Sequence, residues 1–248
     1  DTKVWSIGYS SIGGTVGNNT GTVCYTFSED RILFKVELNN SARSGAQCQI
    51  GGIVGKNTGE INQCYSLGKI IEDASSVLDM IWIGGFAGVN ESGSIKNCYS
   101  NQMIEQSTPP SQVMYIGGFV GYNQATISNC YTDSSVKTQC TTGVGGFVGR
   151  NATGGSISKC IAFGSLETVT NSNVGYFVGV EESGSSLFKC YYDSSMTVTY
   201  AYGLTEGGTA ETTETLISQE FLTDKLSWSK DIWTFSDDKK PTLNFENE

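Results

Sequence analysis

The chain has 248 residues, with 15 Lys plus Arg against 25 Asp plus Glu for a net charge of −10, and it contains no histidine. An acidic surface does not neutralise a phosphate backbone, so nucleic acid is not expected as a partner. The missing imidazole excludes Ser-His-Asp triads, Cys-His pairs and HExxH zinc sites, leaving any catalysis to carboxylates, Tyr, Lys, Arg or an oxygen-bound metal. Glycine is frequent (31) and proline scarce (3), while aromatics make up 11%. That balance is neither disordered nor collagenous. No apolar run of about 18 residues is present, so no membrane insertion is expected.

In chain order, Asp1-Thr2-Lys3-Val4-Trp5 is strand-like, as in a mature or excised fragment. Next, Ile12-Gly13-Gly14-Thr15-Val16-Gly17-Asn18-Asn19 starts a string that returns at Ile50–Asn57, Ile83–Asn90, Ile116–Asn123, Val144–Asn151 and, degenerate, Val174–Glu181. The first glycine of each copy stands at 13, 51, 84, 117, 145 and 175, giving steps of 38, 33, 33, 28 and 30 residues. Each copy has a second half, as in Ile61-Asn62-Gln63-Cys64-Tyr65-Ser66, Ile95-Lys96-Asn97-Cys98-Tyr99-Ser100 and Ile127-Ser128-Asn129-Cys130-Tyr131-Thr132. These units are rich in Gly, Ser, Thr, Asn and β-branched residues, poor helix formers, and read as short strands between turns such as Asn57-Thr58-Gly59. One unit is too thin to bury its own apolar face, whereas stacked units share a continuous core. The expected fold is all-β, a right-handed parallel β-helix of about six rungs over residues 1–203, with length variation absorbed in loops at Glu72–Asp79 and Ser107–Gln112. Propeller blades, at about 40–50 residues each, are too long for these units. Residues 204–248 depart from the pattern. Apolar positions 216, 217, 221, 222 and 226 predict a short helix within 213–226, and Trp228, Trp233 and Pro241-Thr242-Leu243 complete a C-terminal cap over the open end of the stack.

The glycine-bounded hearts Gly52–Gly55, Gly85–Gly88, Gly118–Gly121 and Gly146–Gly149, each followed by Asn, a turn and an Ile-x-Asn-Cys-Tyr-like stretch, resemble the GLUG-motif repeat proteins. Gly14–Gly17 is a weaker copy, and Tyr176–Gly179 lacks the first glycine. The resemblance covers about four-fifths of the chain. It implies a secreted or surface-anchored bacterial protein of adhesin-like character, or a region flanking an immunoglobulin-A-specific metallopeptidase. It does not carry the peptidase's activity here, since that zinc motif needs histidines.

Three sets of residues are candidates for chemistry. Cys24, Cys64, Cys98, Cys130, Cys160 and Cys190 share one repeat position, with Cys48 and Cys140 outside it. Equivalent positions on adjacent parallel rungs lie about 4.8 Å apart with parallel Cβ vectors, whereas a disulfide needs converging vectors about 3.8 Å apart. A structural ladder of free thiols is therefore expected, and a linear row does not converge on a metal. Tyr25, Tyr65, Tyr99, Tyr131 and Tyr191 form a neighbouring column, with Ile161 interrupting it. A corner near Asn129 leaves open whether Cys or Tyr faces inward. If tyrosine faces out, Tyr65, Tyr99, Tyr131 and Tyr191 make an aromatic stripe able to stack on sugar rings. Asp133 and Asp193 share a position two rungs apart, roughly 10 Å, near the upper limit for an inverting glycosidase pair, although Asp before Ser-Ser is also an ordinary turn residue. Asn18, Asn39, Asn90 and Asn151 begin Asn-x-Ser/Thr triplets, meaningful only in a eukaryotic secretory host.

The resulting expectation is a non-catalytic bacterial cell-surface or secreted β-solenoid, part of a larger surface protein. It presents a binding face to a host glycan or extracellular protein, or serves as a stalk, and needs no cofactor and no metal. The alternatives are a carbohydrate-active enzyme working through carboxylates and a purely structural spacer.

Overall fold

The computed structural model describes residues 2–5, 9–29, 31–35, 47–72, 79–107, 113–140, 142–168, 173–199, 204–205, 207–236 and 238–247. Residues 73–78 and 108–112, the greater part of the two loops expected at Glu72–Asp79 and Ser107–Gln112, lie outside them, as does the Asn39 triplet.

The backbone winds into six rungs whose strands stack in three parallel sheets. The seven-stranded sheet takes the strand before each glycine pair, from Ser10–Gly13 through Gln47–Gly51, Met80–Gly84, Val113–Gly117, Gly143–Gly145 and Val174–Gly175 to Leu204–Thr205. The six-stranded sheet takes the strand after it, from Val16–Asn19 to Val178–Glu181. A sixteen-stranded sheet collects the second half of every repeat. The register follows the repeat: Gly13, Gly51, Gly84, Gly117, Gly145 and Gly175 stand opposite one another rung by rung. The chain is a parallel β-solenoid.

Like side chains stack on like in the interior. Phe86, Phe119, Phe147 and Phe177 form a column with ring centroids 4.8 Å apart, beside a row of Ile61, Ile95, Ile127 and Ile157. A second apolar cluster fills the other half of each rung with Ile12, Ile50, Ile83, Ile116, Val144 and Val174. The asparagine after each glycine string is also internal. Asn19, Asn57, Asn90 and Asn123 each donate from Nδ2 to Oδ1 of the asparagine on the next rung at 2.8–2.9 Å, ending at Asn151. The amides thus satisfy one another along the buried row up to Asn151, whose Nδ2 has no acceptor among the described residues, while Asn57 and Asn123 also close their own turns by accepting from the backbone N–H two residues on. Glu181 stands opposite Asn151 and stops the row. Asn90 and Asn151 are fully buried, so these two triplets are ladder residues; Asn18 is exposed.

A left-handed residue marks the corner of each second half: Tyr25, Gln63, Asn97, Asn129, Lys159 and Lys189 all have φ between 50° and 55°. This corner lies where Asn129 predicts it and resets the alternation of the strand. Ile127 and Cys130 both enter the main core, while Tyr131 points to a separate cluster on the outer flank.

The C-terminal segment differs from the expected end cap. Leu204–Thr205 and Thr209–Glu211 still pair with the sixth rung. The chain then forms α1 (Thr213–Ile217), whose start is capped by the Thr212 side chain accepting from Thr215 N–H. A π-helical turn (Phe221–Lys225) and a hairpin of Trp233–Ser236 with Lys239–Leu243 follow. These elements run back along the flank of the solenoid. Phe221 meets Tyr191, Trp228 Nε1 donates to Lys159 O at 3.1 Å, Trp233 packs on Tyr99 and Tyr131, and Phe245 reaches Tyr65 and Tyr25. The segment is a lateral strap whose apolar residues, Leu216, Leu222, Leu226, Trp228, Trp233 and Leu243, share one buried cluster with the outward tyrosines.

Candidate functional site

The thiol row is present with one change of membership. Cys64, Cys98, Cys130, Cys160 and Cys190 line the main core, and all eight cysteines are free. Cys24 is exposed, because in the first copy it pairs with Asn62 and Thr26 occupies the ladder position opposite Cys64. The same two-residue offset removes Tyr25 from the tyrosine column and puts Phe27 there, stacked on Tyr65 at 5.1 Å. The repeat spacing hid this offset because Cys24-Tyr25 mimics the Cys-Tyr pair of later copies. Burial pushes the thiols of Cys48, Cys130, Cys140 and Cys190 up. At Cys98, burial opposes a thiolate, and its contacts there are Cys130 and Cys64, themselves core thiols that bring no positive charge to hold one. The row is packing, not chemistry. Iodoacetamide is expected to label Cys24 alone in the native chain and all eight cysteines after unfolding without reductant. Fewer than six labelled under denaturant would contradict the ladder.

The expected tyrosine stripe is not at the surface. Tyr65, Tyr99, Tyr131 and Tyr191 point outward from the solenoid, but the strap covers them and leaves at most 8% exposed. Tyr65, Tyr99 and Tyr131 stack at 4.8–5.0 Å. Ile161 breaks the column where Trp228 seats, and Tyr131 O–H donates to Pro241 O. A continuous apolar column is as suited to holding the chain's own aromatics as to holding a sugar, and here the chain supplies them.

The two carboxylates also serve the strap. Asp133 accepts from Lys240 Nζ at 2.7 Å, and that ammonium lies 4.9 Å over the Phe163 ring between the two aspartates. Asp193 is buried and accepts from Ser195 N–H and Oγ at 2.8 Å and from Thr213 Oγ1 at 2.5 Å, pinning the start of α1. Glu246 closes the far end, accepting from Tyr99 O–H at 2.8 Å and Leu243 N–H at 2.5 Å. Burial raises its pKa despite these two bonds. A carboxyl whose folded pKa is raised stabilises the fold below its unfolded pKa and loses that contribution as pH rises through the folded value. Glu246→Gln is therefore expected to match the parent in urea midpoint at pH 4 and to exceed it increasingly toward pH 7. A gap that closes with rising pH would contradict this.

A surface feature that the repeat reading did not single out lies on the other side of the molecule. The outward positions of the seven-stranded sheet, just before the glycine pairs, stack as Gln49, Trp82 and Tyr115. Those of the six-stranded sheet stack as Lys56, Val89, Tyr122 and Arg150. Gly88 brings the two columns together: a Cβ there would fall 2.5 Å from Ile50 N and 2.8 Å from Gln49 C, so only glycine lets the sheets close this tightly. Between the columns runs a groove of about 400 Å³, also lined by Gln47, Met80, Glu91, Val113 and Gln124. Trp82 and Tyr122 meet at 5.8 Å, and Tyr115 and Tyr122 at 6.4 Å. The Arg150 guanidinium lies over both tyrosine rings, at 5.0 and 5.6 Å, donates to Tyr115 Oη at 2.9 Å and pairs with Glu182. Lys56 pairs with Glu91 at 2.7 Å.

The glycine string that shapes this corner matches the family description "The GLUG motif" at residues 113–137 and 141–170. Those two segments carry the GLUG motif. The fold of the chain is similar to that of a protein from Bacteroides ovatus described as a putative immunoglobulin A1 protease, with a TM-score of 0.60 and 22% identity over 98% of this chain and 74% of that one. At that identity the likeness concerns the fold alone. No curated protein matches the chain in sequence. Among the described residues, no three His, Cys, Asp or Glu side chains lie together as metal ligands. The matched segments supply Val113, Tyr115, Tyr122, Gln124 and Arg150 to the groove, and the two preceding rungs supply the rest of its lining, Trp82 included.

Proposed function

We propose that the chain is a non-catalytic binding module of a bacterial cell-surface or secreted protein, engaging an extracellular partner, glycan or protein, through the groove beside Trp82. The observation that carries this reading is the groove itself, in which three aromatic rings from two sheets converge on a concave surface with amides on both walls. Such a surface suits ligand recognition. A spacer has no need of it. The alternative of a carboxylate enzyme is disfavoured because Asp133 and Asp193 are engaged by Lys240 and by Ser195 and Thr213, and neither lines the groove. An array of glycans and host matrix proteins tests the proposal: saturable binding supports it. Polysaccharide cleavage abolished by Asp133→Asn would replace it with the enzyme reading, and silence in both assays with the spacer.

A further inference from the structure

We infer that the groove takes an uncharged oligosaccharide lying along the solenoid axis, with one sugar ring stacked on Trp82; this rests on the binding reading above and specifies its ligand. The charges in the groove wall argue first. Its charged lining residues are Lys56, Glu91 and Arg150; Lys56 pairs with Glu91, and Arg150 with Glu182 while bridging to Tyr115 Oη. Among the described residues the wall therefore offers no uncommitted cation for a carboxylate or sulfate and no uncommitted carboxylate for an amine.

The remaining chemistry matches a sugar. A pyranose ring has a flat C–H face suited to an aromatic ring and a rim of hydroxyls that both donate and accept. Gln47, Gln49 and Gln124 carry amides with both capacities. Gln49 Oε1 already accepts from Ser11 Oγ at 2.6 Å, which leaves its NH₂ to donate. Trp82 Nε1 and Arg150 Nε are buried donors with no acceptor among the described residues, hydrogen-bonding capacity beside the groove that the described residues do not use.

Direction argues against one rival, a peptide added as a further strand. The strands cross the groove, and their N–H and C=O groups are taken up by the neighbouring rungs. Among the described residues, no strand edge is offered along the groove for a peptide to extend a sheet. The stacked positions Gln49, Trp82 and Tyr115, one rung apart or about 4.8 Å, instead give a linear glycan a contact on each rung. Trp82 is held between paired strands on both sides, so little freedom is lost when a ring lands on it.

The test is calorimetric titration of the whole chain with cellohexaose, xylohexaose and mannohexaose, with polygalacturonate and hyaluronan fragments, and with a proline-rich peptide. The expected result is binding to a neutral hexaose with little dependence on salt. Trp82→Ala should weaken it at least about tenfold, with an unchanged circular dichroism spectrum and the chain still fully folded at the titration temperature, and Trp82→Phe should retain part of it. Preference for the acidic fragments with strong salt dependence, peptide binding lost in Trp82→Ala, or hexaose binding indifferent to Trp82→Ala would overturn this inference and leave a binding module standing. No binding to any of these probes, nor to any member of the glycan and matrix-protein array, would overturn both.

Discussion

Replacing Gly88 with alanine is expected to destabilise the chain by more than about 3 kcal/mol, the upper end for over-packed sites. The added methyl would sit 2.5 Å from Ile50 N and 2.6 Å from Gly55 O, both backbone atoms of the preceding rung. Backbone in a stacked ladder cannot step aside alone, because Gln49 and Ile50 pair with strands on either side. The rungs must separate there, and the two groove columns separate with them. Gly21→Ala is the matched control: a Cβ added at Gly21 meets nothing within 4 Å, and the substitution is expected to be neutral or to stabilise by a few tenths of a kcal/mol. Urea denaturation of the two variants side by side checks the pair. Equal midpoints would mean that the close contact at Gly88 is absent in solution.

The second large effect is expected at the strap. Trp233 is 1% exposed, stacks on Trp228 at 4.7 Å and tilts against Tyr99 and Tyr131. Removing a buried tryptophan of this kind costs about 3–5 kcal/mol. That exceeds what the polar anchors of the strap can replace, since Lys240–Asp133 is a partly exposed ion pair of modest worth. In Trp233→Ala the strap is expected to leave the flank before the solenoid unfolds, so limited proteolysis should cut within residues 213–247 under conditions where the parent resists. The solenoid core, built from separate clusters, should keep its own transition. A variant as resistant as the parent would show that the strap is not held by its aromatics.

The fold was legible because a solenoid repeats its physics. Each rung needs the same glycines at the same close approaches and the same asparagine in the same ladder, so the period was visible without any alignment. The first copy misled for a local reason: Cys24-Tyr25 spells the later motif, but the left-handed corner falls on Tyr25 itself, two residues after the Val23 that the motif would place there, so Thr26 and Phe27 stand opposite Cys64 and Tyr65. The fate of the tyrosine column was invisible because its partners lie far along the chain, Tyr99 meeting Glu246 and Tyr131 meeting Pro241. The groove escaped for the opposite reason to the fold. Its residues are those that change from rung to rung: Gln49, Trp82, Tyr115 and Gly143 share one position, and Lys56, Val89, Tyr122 and Arg150 another. A search for what recurs finds the scaffold and passes over the positions where a ligand is chosen.

The central claim is that, of the two aromatic columns built by the inner rungs, the groove at Trp82 and Tyr122 is open to a partner and the tyrosine column at Tyr65, Tyr99 and Tyr131 is covered. Hydroxyl-radical footprinting of the native chain, read by mass spectrometry, tests it without knowledge of any ligand. The account predicts oxidation at Trp82 and Tyr122, and protection of Tyr99, Tyr131 and Trp233 to the level of the buried phenylalanines. Rapid oxidation of Tyr99 and Tyr131 with Trp82 protected would contradict it.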